Sequence, residues 1–220
     1  MGFTEDFTGA TLDPAWSENG TGGSFDATND VYQIINVNGS GGTGLQRNTG
    51  GTLGSYAATV TLNMVEFSNP STGADFKWKF FGPDGFMEVV LNSFGDMRLF
   101  HNDQDGGGGN IQPNTNIGLT GAGDIVTLAL LYDEGTDMID VSYVVNGGSS
   151  TSFYSGGGVD GPVDDLVTNF VIAEVFEFGA GNPVPTVQIQ EWNLEAIPEP
   201  SAAALLAGCL GLIAVRRRRP

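Results

Sequence analysis

The sequence predicts an all-β protein, a two-sheet antiparallel β-sandwich of the jelly-roll kind, with one short apolar helix after it and outside the domain. Three observations predict this. Apolar side chains repeat at every second residue in several stretches, turn residues punctuate those stretches at short intervals, and no run of ten or more body residues spaces its apolar positions by three and four. Glycine is abundant at 34 of 220 residues, yet Gly and Pro together stay below the roughly 25–30% of low-complexity chains. The glycines therefore read as turns of a folded body.

Taken in order, residues 58–67 come first. Ala58, Val60, Leu62 and Met64 face one way and Thr59, Thr61 and Asn63 the other, the period of a half-buried strand. Phe76, Trp78 and Phe80 then alternate with Asp75, Lys77 and Lys79. Gly82-Pro83-Asp84-Gly85 supplies a turn, with Pro pre-setting φ and Gly permitting the reversal. Strands over 86–91 and 97–101, joined by a turn at 92–96, complete an antiparallel meander. Residues 125–132 are nearly continuously apolar, which marks an interior strand. After a turn at 133–136, Ile139, Val141, Tyr143 and Val145 alternate with Asp140 and Ser142, and Asn146-Gly147-Gly148 ends the strand. A long aromatic strand over 166–178 and a last strand over 187–197 close the body. Roughly ten to thirteen short strands of this kind suit two packed sheets. No repeat of fixed period is present.

Charge narrows the function. The chain carries 26 acidic and 8 basic residues, a net charge of −18. Four of the basic residues are Arg216, Arg217, Arg218 and Arg219, so residues 1–197 hold only Arg47, Lys77, Lys79 and Arg98 against 25 carboxylates, a formal −21. Such a surface repels phosphate backbones and excludes nucleic acid as a partner. It suits an exported protein that meets cations or neutral polymers. The single cysteine, Cys209, lies in the C-terminal apolar run, so the body has neither a disulfide nor a thiolate metal site. His101 is the one histidine, with no second His or Cys beside which to hold zinc, and no GxSxG elbow accompanies it.

The end of the chain reads Ile197-Pro198-Glu199-Pro200-Ser201, then an uncharged run over 202–215, then the four arginines and Pro220. Fourteen helical residues reach about 21 Å, short of the roughly 30 Å hydrocarbon core. The run suits a temporary membrane handle with a basic cytoplasmic stop. The three parts in this order resemble the PEP-CTERM sorting signal of Gram-negative bacteria. The resemblance implies that an exosortase, a membrane cysteine transpeptidase-like enzyme, reads Pro198, Glu199 and Pro200 and removes the segment after them. It implies transient insertion in the inner membrane, with Arg216, Arg217, Arg218 and Arg219 as the stop, and a final place in the cell envelope or outside it, beside extracellular polysaccharide. Family members begin with a secretory leader, which the residues from Met1 to Asp6 do not match, so the leader is expected to be removed or to lie upstream.

A second resemblance concerns residues 1–196. Glu5-Asp6-Phe7-Thr8-Gly9 with Leu12-Asp13-Pro14-Ala15-Trp16 is similar to the first strand and turn of concanavalin A-like lectin/glucanase (LamG-like) domains. The hairpin over 126–145 and the strand over 187–196 share the rhythm of that family's late strands. The resemblance implies a curved sheet that binds glycans, with calcium nearby in some members and hydrolysis in some branches.

Glycoside hydrolysis needs two carboxylates about 5–5.5 Å apart for retention, or about 6.5–9.5 Å for inversion. Neither Glu-x-Asp-x-x-Glu nor Glu-x-Asp-x-Glu, the glucanase patterns, occurs. Glu174 and Glu177 fall on opposite faces of one strand, and Glu191 and Glu195 share a face but stand roughly 13 Å apart. Glu174 has the parity of Phe170, Ile172 and Phe176, so it is expected either to pair with Lys77, Lys79 or Arg98 or to have a raised pKa, and it is a candidate ligand-binding residue. Asp103 and Asp105, in Asn102-Asp103-Gln104-Asp105-Gly106, resemble the start of a calcium loop without its later bidentate Glu. Trp16 and Trp192 are candidates for stacking sugar rings, with Trp78 a core residue. The expectation is a non-catalytic exported module that binds carbohydrate. A glycoside hydrolase or lyase on the same fold, or a purely structural surface protein, are the alternatives.

Overall fold

The computed structural model describes residues 2–35, 42–67, 73–83, 85–103, 108–119, 121–157, 168–177 and 185–198. Among these there is no helix. In chain order the strands are β1 (Phe3–Glu5), β2 (Trp16–Asn19), β3 (Gly23–Asp26), β4 (Val31–Ile35), β5 (Gly42–Leu53), β6 (Tyr56–Glu66), β7 (Ala74–Phe81) and β8 (Gly85–Asn92). They continue with β9 (Asp96–Asp103), β10 (Gly108–Asn116), β11 (Asp124–Asp133), β12 (Met138–Val145), β13 (Thr151–Gly157), β14 (Thr168–Glu177) and β15 (Thr186–Ala196). The expected apolar helix over 202–215 falls outside the described residues.

The strands form two antiparallel sheets. An eight-stranded sheet runs β13-β12-β11-β6-β15-β4-β3, with β1 also paired to β15, and a seven-stranded sheet runs β10-β9-β8-β7-β14-β5-β2. The expected meander is β7-β8-β9, consecutive in sequence and in space. Asn146 and Gly147 take left-handed backbone (φ 50° and 69°), and the Gly148 N–H donates to the Val145 carbonyl at 3.0 Å, the tight turn that an Asn-Gly pair favours.

The core lies between the two inner faces. β6 supplies Ala58, Val60, Leu62 and Met64, as the alternation predicts, and β7 answers with Phe76, Trp78 and Phe80. The run at 125–132 is interior to its sheet, yet only one face is covered. Val126, Leu128, Leu130 and Tyr132 are buried while Leu131 is 38% exposed. In β15 the inward parity changes. Val187 and Ile189 are buried, then Trp192 and Leu194, and the pairing with β6 shifts register between Ile189 and Glu191. One extra residue in a strand turns every later side chain to the other face.

Strand β15 ends without slack. Ala196 still pairs with Tyr56, and the Ile197 N–H donates to the Ser55 carbonyl at 2.9 Å, one residue before Pro198.

Packing at this density makes a clear stability prediction. Trp78 is fully buried, so Trp78→Ala should cost about 3–5 kcal/mol in denaturant unfolding. Leu131→Ala, on the open face of the neighbouring sheet, should cost under about 0.5 kcal/mol. Equal costs at the two positions would contradict the assignment of inner and outer faces.

Candidate functional site

Because Phe76, Trp78 and Phe80 point inward, Asp75, Lys77, Lys79 and Phe81 stand on the outer face of the seven-stranded sheet. The tight turn after β7, closed by the Gly82 N–H donating to the Gly85 carbonyl at 2.9 Å, fixes which residues face them. Lys79 lies opposite Glu88, Lys77 opposite Val90, and Phe81 opposite Phe86. On the other side, β14 sets Glu174 beside Lys77, Ile172 beside Lys79 and Phe170 beside Phe81. Strand β9 adds Arg98 opposite Val90 and Phe100 opposite Glu88.

The contacts follow from that register. The Lys79 ammonium bonds Glu174 Oε1 and lies 3.8 Å from Glu88 Oε2. The other Glu174 oxygen, Oε2, accepts from Asn19 Nδ2 at 2.9 Å. Arg98 Nη2 donates to Asp75 Oδ2 at 3.2 Å. Lys77 Nζ sits 4.5 Å above the Phe176 ring. Four rings cross the strands in a row, with centroids 5.9 Å apart from Phe170 to Phe81, 5.2 Å from Phe81 to Phe86 and 6.3 Å from Phe86 to Phe100. Gly42 makes room for the acid, since a Cβ there would collide with the Glu174 carboxylate.

This outer face is dry at its centre. Glu88 and Glu174 are each 4% exposed, and Asp75, Val90 and Ile172 are also buried. Burial pushes the Glu88 and Asp75 carboxyls up. Lys77, Lys79 and Arg98 oppose the shift at Glu88, and Arg98 and Lys77 oppose it at Asp75. Glu174 pairs with Lys79, one of the three partners expected for it.

As chemistry, the pair Glu88 and Glu174 does not have the form of a glycosidase acid and nucleophile. A retaining pair holds the scissile bond between its carboxylates. Here the Lys79 ammonium fills that space and both acids are buried. The group reads as a charge lock beneath a partly open aromatic surface.

The remaining candidates lie elsewhere. Trp16 and Trp192 are core residues at 5% and 0% exposure, their ring centroids 5.0 Å apart, and Trp16 Nε1 donates to Glu5 Oε2 at 2.8 Å. Neither offers a ring face to a sugar, which corrects the stacking expectation: in β2 and β15 the residue type was right for stacking but the parity points inward. Asp103 ends β9, but its side chain and Asp105 lie outside the described residues, as do Glu199, Pro200, Arg216, Arg217, Arg218 and Arg219. Pro198 is exposed at the end of the body. No cluster of three or more His, Cys, Asp or Glu that could hold a metal exists among the described residues. On the eight-stranded sheet, Thr4, Ala57, Thr59, Glu191, Asn193 and Glu195 line an open hollow of about 410 Å³ that has no aromatic wall. Glu88 and the Phe81–Phe86 pair are what sequence reading missed, and the four-residue turn at 82–85 was the signal that could have paired them.

No protein-family profile and no curated protein matches the chain. Solved structures do match in fold. The Emp47p carbohydrate recognition domain superimposes with a TM-score of 0.63 at 15% identity, over 89% of this chain and 94% of that one. Lectin II from Ulex europaeus gives 0.58 at 11% identity, over 88% and 97%. The GH43 BlXynB protein from Bacillus licheniformis gives 0.59 at 13% identity, over 88% of this chain and 39% of that one. The chain thus spans about two fifths of the GH43 protein and nearly all of the lectin domains. It shares with them the fold, a β-sandwich of two antiparallel sheets.

The shifted carboxyls set a pH dependence. A carboxyl whose folded pKa is raised costs stability above that pKa, and the cost is relieved as pH falls through it. Glu88 and Asp75 act in this sense. Asp6, Asp26 and Asp133, lowered mainly by side-chain hydrogen bonds from Thr8, Asn29 and Thr136, act oppositely and lose their contribution only below about pH 4. The melting temperature should therefore rise as pH falls from neutrality toward the ordinary carboxyl range and fall below about pH 4. Relief of general repulsion works in the same direction, so the decisive readout is Glu88→Gln, which should flatten the rise. Identical slopes for variant and parent would sink this assignment.

Proposed function

We propose that the chain is an exported cell-surface or matrix protein whose body is a non-catalytic carbohydrate-binding module and whose end is a sorting signal. The observation that carries the binding reading is the outer face of the seven-stranded sheet. A sheet face meant only for water has no use for a row of Phe170, Phe81, Phe86 and Phe100 above buried, mutually bonded Glu174, Lys79 and Glu88. Partly exposed ring faces suit the C–H faces of sugars, and the ion pairs beneath hold the rings at fixed spacing. The fold shared with a carbohydrate recognition domain and a lectin supports the same reading.

The sorting reading rests on Pro198, Glu199 and Pro200, the apolar run and Arg216, Arg217, Arg218 and Arg219. Among the described residues the last backbone hydrogen bond is made by Ile197, next to Pro198, which supports a boundary at the tripeptide. In this reading an exosortase is the processing partner, the inner membrane holds the chain transiently, and extracellular polysaccharide surrounds the product. Calcium at Asp103 and Asp105 remains part of the proposal as an optional ion.

Two measurements test it. A polysaccharide pull-down with the full chain should retain the protein, and Phe86→Ser should weaken retention about tenfold, the loss of one stacking contact. Parent and variant running alike, or no retention on any polymer, would favour a purely structural role. Mass spectrometry of surface material from the native host should find a C-terminus close to Pro200. An intact arginine end there would refute the sorting signal.

A further inference from the structure

The charge of this molecule is not spread evenly. Of the four cations in residues 1–197, Arg47 is held at the end of the sandwich by Asp13 at 3.2 Å and lies over the rings of Phe3 and Trp16. The other three, Lys77, Lys79 and Arg98, all stand on the outer face of the seven-stranded sheet. Among the described residues four carboxylates, Asp75, Glu88, Asp96 and Glu174, share that face with them, so three of the body's four cations are gathered beside a small part of its 25 carboxylates. Among the described residues this face is therefore the most nearly balanced part of a strongly anionic body, and the part where an anion is repelled least.

The three cations are not equally occupied. Lys79 is consumed by Glu174 and Glu88. Lys77 forms no ion pair among the described residues and rests on the Phe176 ring. Arg98 gives Nη2 to Asp75, while its side chain stays 31% exposed. A guanidinium carries five donors in a fixed fork suited to a carboxylate, so its exposed part can take a second one. Lys77 and Arg98 flank Val90 on neighbouring strands, which sets them about 10 Å apart, and Phe100 follows Arg98 on the same face after about 7 Å. A neutral polymer lying on these rings would desolvate both cations and give them nothing in return. A polymer with carboxylates would complete them.

We propose that this face takes an acidic polysaccharide, with sugar rings on the phenylalanine row and uronate carboxylates on Lys77 and Arg98. The inference rests on the carbohydrate-binding reading above and names the class of polymer. It also refines the expectation drawn from net charge, which pointed to cations or neutral polymers. The bulk of the surface repels an acidic chain, and this patch, where three of the body's four cations stand, repels it least. At about 0.15 M salt the distant carboxylates are screened over about 8 Å, so the patch decides the outcome.

The test uses the full chain with polygalacturonate and hyaluronate, each beside its methyl-esterified, uncharged form, at that salt concentration. The parent should bind at least one acidic polymer about tenfold or more tightly than its ester. Lys77→Gln and Arg98→Gln should each remove most of that preference and leave binding to the ester unchanged. Arg98→Lys, which keeps the charge beside Asp75, should retain part of it, and thermal unfolding of each variant guards against a folding defect. Lys77→Gln carries the result if Arg98→Gln does not fold, because Lys77 has no ion pair to lose among the described residues. Equal binding of acid and ester, or a preference that survives both Gln variants, overturns the proposal while the carbohydrate reading stands. No binding to any of the four polymers, charged or neutral, overturns this proposal, and retention on other neutral polymers then decides the carbohydrate reading by itself.

Discussion

A strand between two sheets has one face for the core and one for everything else, and this two-residue repeat governs how the molecule is organised. Strand β7 shows it most plainly. Its inward side chains, Phe76, Trp78 and Phe80, are large and fully or almost fully buried, so its register is pinned by the core. Once it is pinned, Lys77 and Lys79 have no freedom to face elsewhere. The same holds for β14, where Val171, Ala173 and Val175 take the inside and Glu174 is left outside. The candidate site is the complement of the core.

That complement contains a buried ion pair, which is seldom a net source of stability. Desolvating a carboxylate and an ammonium costs several kcal/mol each, and the attraction offsets this only with good geometry and extra hydrogen bonds. Glu174 has such support from Asn19, and Gly42 leaves its carboxylate room. Glu88 has less, and burial pushes its carboxyl up. The arrangement resembles a specificity device more than a stabilising one. With Lys79 fixed between two acids, β8, β7 and β14 cannot slip without stranding a charge.

The fold class was legible because its evidence is local. Alternation in β6, β7 and β12 and the turns at 82–85 and 146–148 are visible within a few residues. The Gly- and polar-rich strands β5, β10 and β13 were not individually visible, since sequences such as Gly108-Gly109-Asn110 have no apolar face to announce them. Glu174 stands out in the sequence as an acid at the parity of apolar neighbours, and Lys79, which pairs with it, is one of the three partners expected there. Its companion Glu88 was missed because carboxylate pairs were sought along single strands. The pairing instead crosses β7 to join residues 86 apart in sequence. Trp16 and Trp192 illustrate the opposite error. Aromatic type alone suggested a surface role, whereas the register change in β15 turns Trp192 inward to meet Trp16.

The connection at Ile197 has a mechanical side. Strand β15 is paired along one edge with β6 and along the other with β4 and β1, over 11 residues. Its ladder hydrogen bonds lie perpendicular to the strand. Tension applied to the chain beyond Pro198, against a body gripped on its seven-stranded sheet, therefore runs along β15 and strains both ladders together in shear. Bonds strained together fail together, whereas a peeled edge strand loses them one at a time. Had the chain left from β3 or β13 instead, a modest pull could unzip the sheet from its rim. Leaving from an interior strand makes the body a firm attachment point for whatever holds its C-terminal end.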